Sequence, residues 1–190
     1  SDIGVLLADG HLKGTGSQTV FIITTGGDVE TVTVTETASS RGVFRAALPS
    51  DSGVPVEEDG CVQVRHDEGI LLRYRDTGDG RGDGVRWTTV QARMDAEPPA
   101  VVQVDVEMAG PVARVEVITS EPTTARIRYG QSATDPFMLV TETSELSDRH
   151  RIKLGRLVAG VDYEFIIDLV DAAGNQATAD NDGAGYSFEA

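Results

Sequence analysis

The chain has 190 residues, 39% of them hydrophobic, and carries a net charge of −15. That acidity excludes nucleic acid as a partner, because phosphate binding needs a concentrated basic surface. No run approaches the roughly 18 apolar residues of a membrane-inserted helix, and the length suits one domain or two small ones.

The acid is spread rather than localised: residues 1–97 carry 16 acidic and 9 basic groups, and residues 98–190 carry 15 and 7. Only Lys13 and Lys153 among the sixteen basic residues are lysines. A diffuse, arginine-biased acidic surface suits a salty exterior, and a GC-rich genome would shift the composition the same way. Ser1-Asp2-Ile3 reads as a cut within a longer protein.

The repeating signal along the chain has period two, the mark of half-buried strands. Strands are expected at Gln18–Thr24, Val29–Glu36 and Gly42–Leu48. A further one spans Gly60-Cys61-Val62-Gln63-Val64, where Cys61, the sole cysteine, reads as a small buried hydrophobe. His11 falls near the opening turn and His66 at a hairpin end, neither at a spacing that makes a catalytic dyad with Cys61 or a metal motif. Ile70–Arg75 and Val85–Met94 complete the first half. Trp87 is expected in the core, with an exposed stacking platform as its alternative.

Between the last two strands lies Asp76-Thr77-Gly78-Asp79-Gly80-Arg81-Gly82-Asp83-Gly84. The carboxylates of Asp76, Asp79 and Asp83 are of the type that wraps calcium, yet their spacing is not that of an EF-hand. The competing reading is a solvated hairpin loop, with glycine supplying positive φ and aspartate making turns. Arg81-Gly82-Asp83 also matches an integrin-recognised tripeptide, a motif short enough to recur by chance.

Asp95-Ala96-Glu97-Pro98-Pro99 has no apolar anchor. Its prolines fix φ and push each preceding residue toward extended backbone. This stiff link sets a boundary between residues 1–97 and 98–190, two units of the usual sandwich size.

In the second unit, Ala113, Val115 and Val117 share one face, with Arg114 and Glu116 on the other. Arg126-Ile127-Arg128-Tyr129 alternates likewise, as does Arg149 through Leu154. The basic stripe Arg149, Arg151 and Lys153, with Arg126 and Arg128, reads as an exposed face with cross-strand ion pairs to Glu116 and Glu164. His150 faces inward. Asp168, Asp171, Asn175, Asp180 and Asp182 form a second acidic group near the last hairpin, readable as cation ligands or as turn residues.

The stretch Leu154-Gly155-Arg156-Leu157-Val158-Ala159-Gly160-Val161-Asp162-Tyr163 resembles the corner of a fibronectin type III-like domain. Thr119 through Gly130 is similar to that family's second and third strands, and Asp171-Ala172-Ala173-Gly174-Asn175 to its last hairpin turn. The resemblance covers nearly all of residues 98–190. It implies that the Tyr163 ring enters the core and its hydroxyl bonds upstream backbone. The tryptophan often found on the second strand is here Val117. In the first unit, Glu30 through Thr37, Arg41 through Leu48 and Gly69 through Asp76 resemble an Ig-like repeat of large exported bacterial proteins.

The expected fold is therefore all-β, two tandem Ig-like and fibronectin type III-like sandwiches. The resemblances imply a non-catalytic spacer or interaction module at the cell surface or outside the cell, with neighbouring domains of the same parent chain as partners. The alternative is a module binding a glycan or protein ligand, calcium-stabilised and attached to a secreted hydrolase. No cofactor is implied beyond that calcium.

Overall fold

The structure, a computed structural model, describes residues 2–78, 84–131 and 137–190. Apart from one 3-10 turn at Gly10–Leu12, its regular elements are strands. The chain divides into two compact units, Ser1–Ala96 and Glu97–Ala190.

The first unit contains β1 (Asp2–Ala8), β2 (Ser17–Thr24), β3 (Val29–Thr37), β4 (Ser40–Asp51), β5 (Val62–Gln63), β6 (Gly69–Asp76) and β7 (Arg86–Arg93). Their order is β1-β4-β3-β2-β6-β7, with the short β5 parallel to the end of β4. The β3–β4 ladder holds only near its hairpin, at Thr35↔Arg45, Glu36↔Phe44 and Thr37↔Ser40, with a register shift. Beyond it the layers separate: β4 pairs with β1 from Val43 to Pro49, and β3 pairs with β2. One core lies between them, built from alternate residues of each strand. It includes Val5, Val20, Ile22, Val32, Val34, Phe44, Leu48, Val62 and Tyr74. This is the sandwich solution, each sheet hiding its apolar face against the other.

Two carboxylates are buried with this core, and each takes backbone donors. Glu30 accepts from the Asp59 and Gly60 amides, both at 3.0 Å, and Asp28 accepts from the Gln63 amide at 3.0 Å. Glu30 anchors the segment between β4 and β5 and Asp28 anchors β5 itself, giving partners to amides that would otherwise lack them. Cys61 is not the fully buried hydrophobe expected. It is half-buried just before β5, its Sγ 3.5 Å from Asp51 Oδ2, and burial and that carboxylate push its thiol pKa up.

The second unit contains β8 (Val101–Met108), β9 (Ala113–Gln131), β10 (Leu139–Glu142), β11 (Ser147–Leu154), β12 (Asp162–Asp171), β13 (Gln176–Ala179) and β14 (Tyr186–Glu189). The expected second and third strands are one continuous strand, β9, which serves both sheets. Its first half, up to Thr119, pairs with β8 and β11. From Thr123 onward it pairs with β12, and with β10 between Arg126 and Tyr129. Glu121 and Pro122 stand in neither register, and a proline there costs no ladder donor. β12 carries β13 and then β14 along its other edge, so the last strand is broken in two. The sheets β8-β9-β11 and β10-β9-β12-β13/β14 make a fibronectin type III-like sandwich.

Odd-numbered residues of β9 are buried on either side of the half-buried Glu121, from Ala113, Val115 and Val117 to Ala125, Ile127 and Tyr129. Val117 brings no ring to the core; β12 and β14 supply the aromatic bulk. Tyr163 stacks on Phe188 at 5.6 Å between centroids, and Phe165 on Tyr186 at 5.2 Å. The Tyr163 hydroxyl accepts from the Val158 amide at 3.0 Å, closing the corner upstream of it.

Candidate interaction surface

Trp87 lies on β7, and the structure moves it from the expected core to the surface, 48% exposed. β7 is an edge strand, hydrogen-bonded to β6 through eight registered pairs from Gly69↔Arg93 to Asp76↔Arg86 without a shift. All eight of its residues are exposed, and none joins the core or packs against it. The core ends one strand earlier because β6 is the last strand with a buried residue, Tyr74. The alternation that suggested a buried strand thus has nothing covering it.

The register assembles a face around Trp87. Phe21 of β2 sits opposite Arg73 of β6, which sits opposite Thr89, with Trp87 diagonal to Arg73. The Arg73 guanidinium carbon lies 4.6 Å from the Trp87 ring centroid, and the Phe21 ring lies 6.0 Å from it, tilted by 55°. Such a cation over an indole face contributes about 0.5–1 kcal/mol at an exposed site. Ile23, Leu71 and Gln91 continue the face, one residue from each strand in register. Val90 on the opposite face and Val85 just before the strand are also exposed, at 59% and 52%.

The charge of this edge runs against that of the chain. β7 carries Arg86 and Arg93 and no acid, and Arg73 and Arg75 lie on the adjacent β6. Arg93 donates to Asp67 at 2.9 Å in a pair exposed on both sides, which lowers the Asp67 pKa.

The other sequence-derived candidates separate into individual roles. Asp76 accepts from the Gly78 amide at 2.7 Å in a turn, while Asp79 and Asp83, with the Arg81-Gly82-Asp83 tripeptide, lie outside the described residues. Asp168 receives Arg128 through two bonds at 2.7 and 2.9 Å, and that guanidinium holds its carboxyl below the usual range. Asp171 binds Asn175 across the last hairpin, and Asp180 accepts from the Gly183 amide at 3.1 Å. The basic stripe is split between the two sheets. Arg149 and Arg151 approach Glu116 at 2.6 and 3.6 Å, whereas Arg128 pairs with Asp168 rather than Glu164. His150 is buried between two threonines, Nε2 3.0 Å from Thr123 Oγ1 and Nδ1 3.2 Å from Thr143 Oγ1. Burial lowers its pKa. His66 accepts from the Ala96 amide through Nδ1 at 3.2 Å, away from Cys61's partner Asp51.

Sequence reasoning missed this surface as a unit because its residues come from β2, β6 and β7. The one local signal was the pair of flanking arginines on a strand without acids.

No family model matches the chain, and no curated protein does. Solved structures similar to it include a DUF3823 family protein from Bacteroides ovatus ATCC 8483, 9% identical, covering 100% of this chain and 99% of that one at a TM-score of 0.36. Another is the FN1–FN3 domains of chicken CNTN1, 14% identical, covering 84% of this chain and 55% of that one at a TM-score of 0.38. The fold assignment rests on the strand pairing described above.

Proposed function

We propose that the chain is a non-catalytic spacer and interaction segment of a larger exported bacterial protein, acting outside the cell or at its surface. The carrying observation is β7: eight exposed residues that add nothing to their unit's core yet display Trp87, joined on the same face by Phe21 and Arg73. Apolar side chains presented by an element the core does not use mark a contact surface. Neighbouring domains of the parent chain, or a separate protein or glycan, are its partners in this reading.

The test presents the tagged full chain to protein and glycan arrays beside Trp87→Ala. Signals lost in the variant support the reading, and identical patterns sink the interaction part of it. Fractionating the source cells with an antibody to the chain tests export; recovery confined to the cytosol refutes it.

A further inference from the structure

We propose that β7 is a docking edge for an extended, acidic segment of a partner protein, which adds to the sheet as a further antiparallel strand. This deepens the reading of β7 as an interaction surface and names the chemistry of its occupant.

An edge strand presents a row of backbone donors and acceptors, and proteins usually blunt it with charged side chains (lysine above all), proline, a bulge or brevity. Of these β7 has only the arginines at its two ends. It contains no lysine or proline and runs eight residues without a register shift. The β3–β4, β8–β9 and β9–β11 ladders each break register. A regular ladder of this length is a template for strand addition, in which main-chain bonds supply affinity and alternate side chains supply selectivity.

Charge chooses the occupant. Arg86 and Arg93 stand at the two ends of β7, about 24 Å apart at ~3.4 Å per residue, on opposite faces of the sheet. Between them Trp87, Thr89 and Gln91 line one face and Thr88, Val90 and Ala92 the other. A second copy fits less well: two-fold antiparallel self-pairing sets residues of the same face opposite one another, and β7, which has no acid, then offers neither Arg86 nor Arg93 a carboxylate. A partner strand with a carboxylate at each end and β-branched or aromatic residues between them complements both the charge and the Trp87 face. The Asp67 carboxylate beside Arg93 is its intramolecular stand-in, in an exposed pair of little energetic value that an incoming acid can replace. Arg73 lies over the indole, which leaves less of that ring for stacking a sugar than a bare platform would.

Trp87 is the sole tryptophan, so its emission reports on the edge directly. The probe is a capped peptide of alternating threonine and valine with two glutamates spaced as Arg86 and Arg93 are, titrated into the full chain. A saturable change in Trp87 emission is expected, about tenfold or more weaker for the lysine counterpart and weakened by salt. N-methylation of the peptide at alternate residues should abolish binding in one alternation and spare it in the other, because a strand offers its donors to one neighbour at every second residue. Arg86→Glu, which leaves the Asp67–Arg93 pair intact, should shift preference toward the lysine peptide.

Equal affinity for both peptides, no response, or indifference to both N-methylation patterns overturns the proposal. So does a response to a soluble glucan oligosaccharide alone, although that result keeps β7 as an interaction surface. Dimerisation of the chain that excludes the peptide makes a second copy the occupant and overturns the acidic strand. The array comparison with Trp87→Ala fails independently of these outcomes, so the two readings can be told apart.

Discussion

The hydroxyl of Tyr129 bonds Gly155 twice, donating to its carbonyl at 3.1 Å and accepting from its amide at 3.2 Å. A short way along the chain, the Tyr163 hydroxyl takes the amide of Val158. Two tyrosines from neighbouring strands of one sheet thus pin the turn between β11 and β12, each satisfying backbone that β-pairing leaves out. Tyr163→Phe keeps the ring and strands the Val158 amide, at an expected cost of about 1–3 kcal/mol. Tyr129→Phe should cost a similar amount, and the double variant should lose less than the sum, since both act on one segment. Urea unfolding measures this, and an unchanged midpoint for Tyr163→Phe would contradict the corner's role.

His150 makes the second unit acid-sensitive. Its pKa is held below the ordinary value by burial, so the unfolded chain takes up the proton first as pH falls. Its contribution is complete above about pH 6.5, the unfolded value, and is lost as pH falls through the depressed folded one. Urea midpoints followed from about pH 7.5 to about pH 5 should decline more steeply in the native chain than in His150→Gln. Parallel curves would show that the histidine contributes nothing to the dependence.

Glu36 organises a set of glycines in the first unit. Its carboxylate accepts from the Gly14, Gly16 and Gly42 amides at 2.7–3.3 Å. These glycines have φ near +80°, a conformation other residues resist. The Gly14 and Gly42 bonds lower the Glu36 pKa, so its contribution persists below the usual carboxylate range and is lost as pH falls through the lowered value. Glu36→Ala should speed hydrogen exchange at all three amides and lower the unit's melting temperature. Unaltered exchange would refute the anchoring role.

For calcium, the expected outcome is equal melting shifts with calcium and magnesium at matched ionic strength, persisting when Asp76, Asp79 and Asp83 are all changed to Asn. Screening of a −15 chain accounts for such shifts without a site. A calcium-specific rise that the triple change abolishes would instead mark a weak extracellular-type site, with Kd on the order of 10⁻⁴–10⁻³ M.

Residues 1–96 and 97–190 enclose separate cores and should each unfold cooperatively when expressed alone. Failure of both halves to fold would mean that the units depend on one another.

Much of the fold was legible because its signals are local. Alternation at Val115 and Val117 needs only neighbours two residues apart, and the Leu154-to-Tyr163 spacing carries its corner within ten residues of chain. The last hairpin, Asp171 to Asn175, is equally local. What escaped was whatever depends on partners distant in sequence. β9 read as two strands because Thr119 through Gly130 resembles two successive strands of the fibronectin type III-like family, and only the different neighbours on either side of Pro122 show one extended strand serving both sheets.

Composition and period by themselves determined an all-β chain with an acidic exterior, because charge and alternation belong to each residue and its near neighbours. Only the tertiary structure decided which alternating faces were covered. Trp87 alternates as a core residue does, yet it lies in the open because its register sets it on the face of Phe21 and Arg73, the side of the sheet away from the core that Val20, Ile22 and Tyr74 enter. Tyr129, by contrast, meets Gly155 across 26 residues because β9 and the end of β11 converge. Burial is a property of what packs on a strand, and that packing partner is absent from the strand's own sequence.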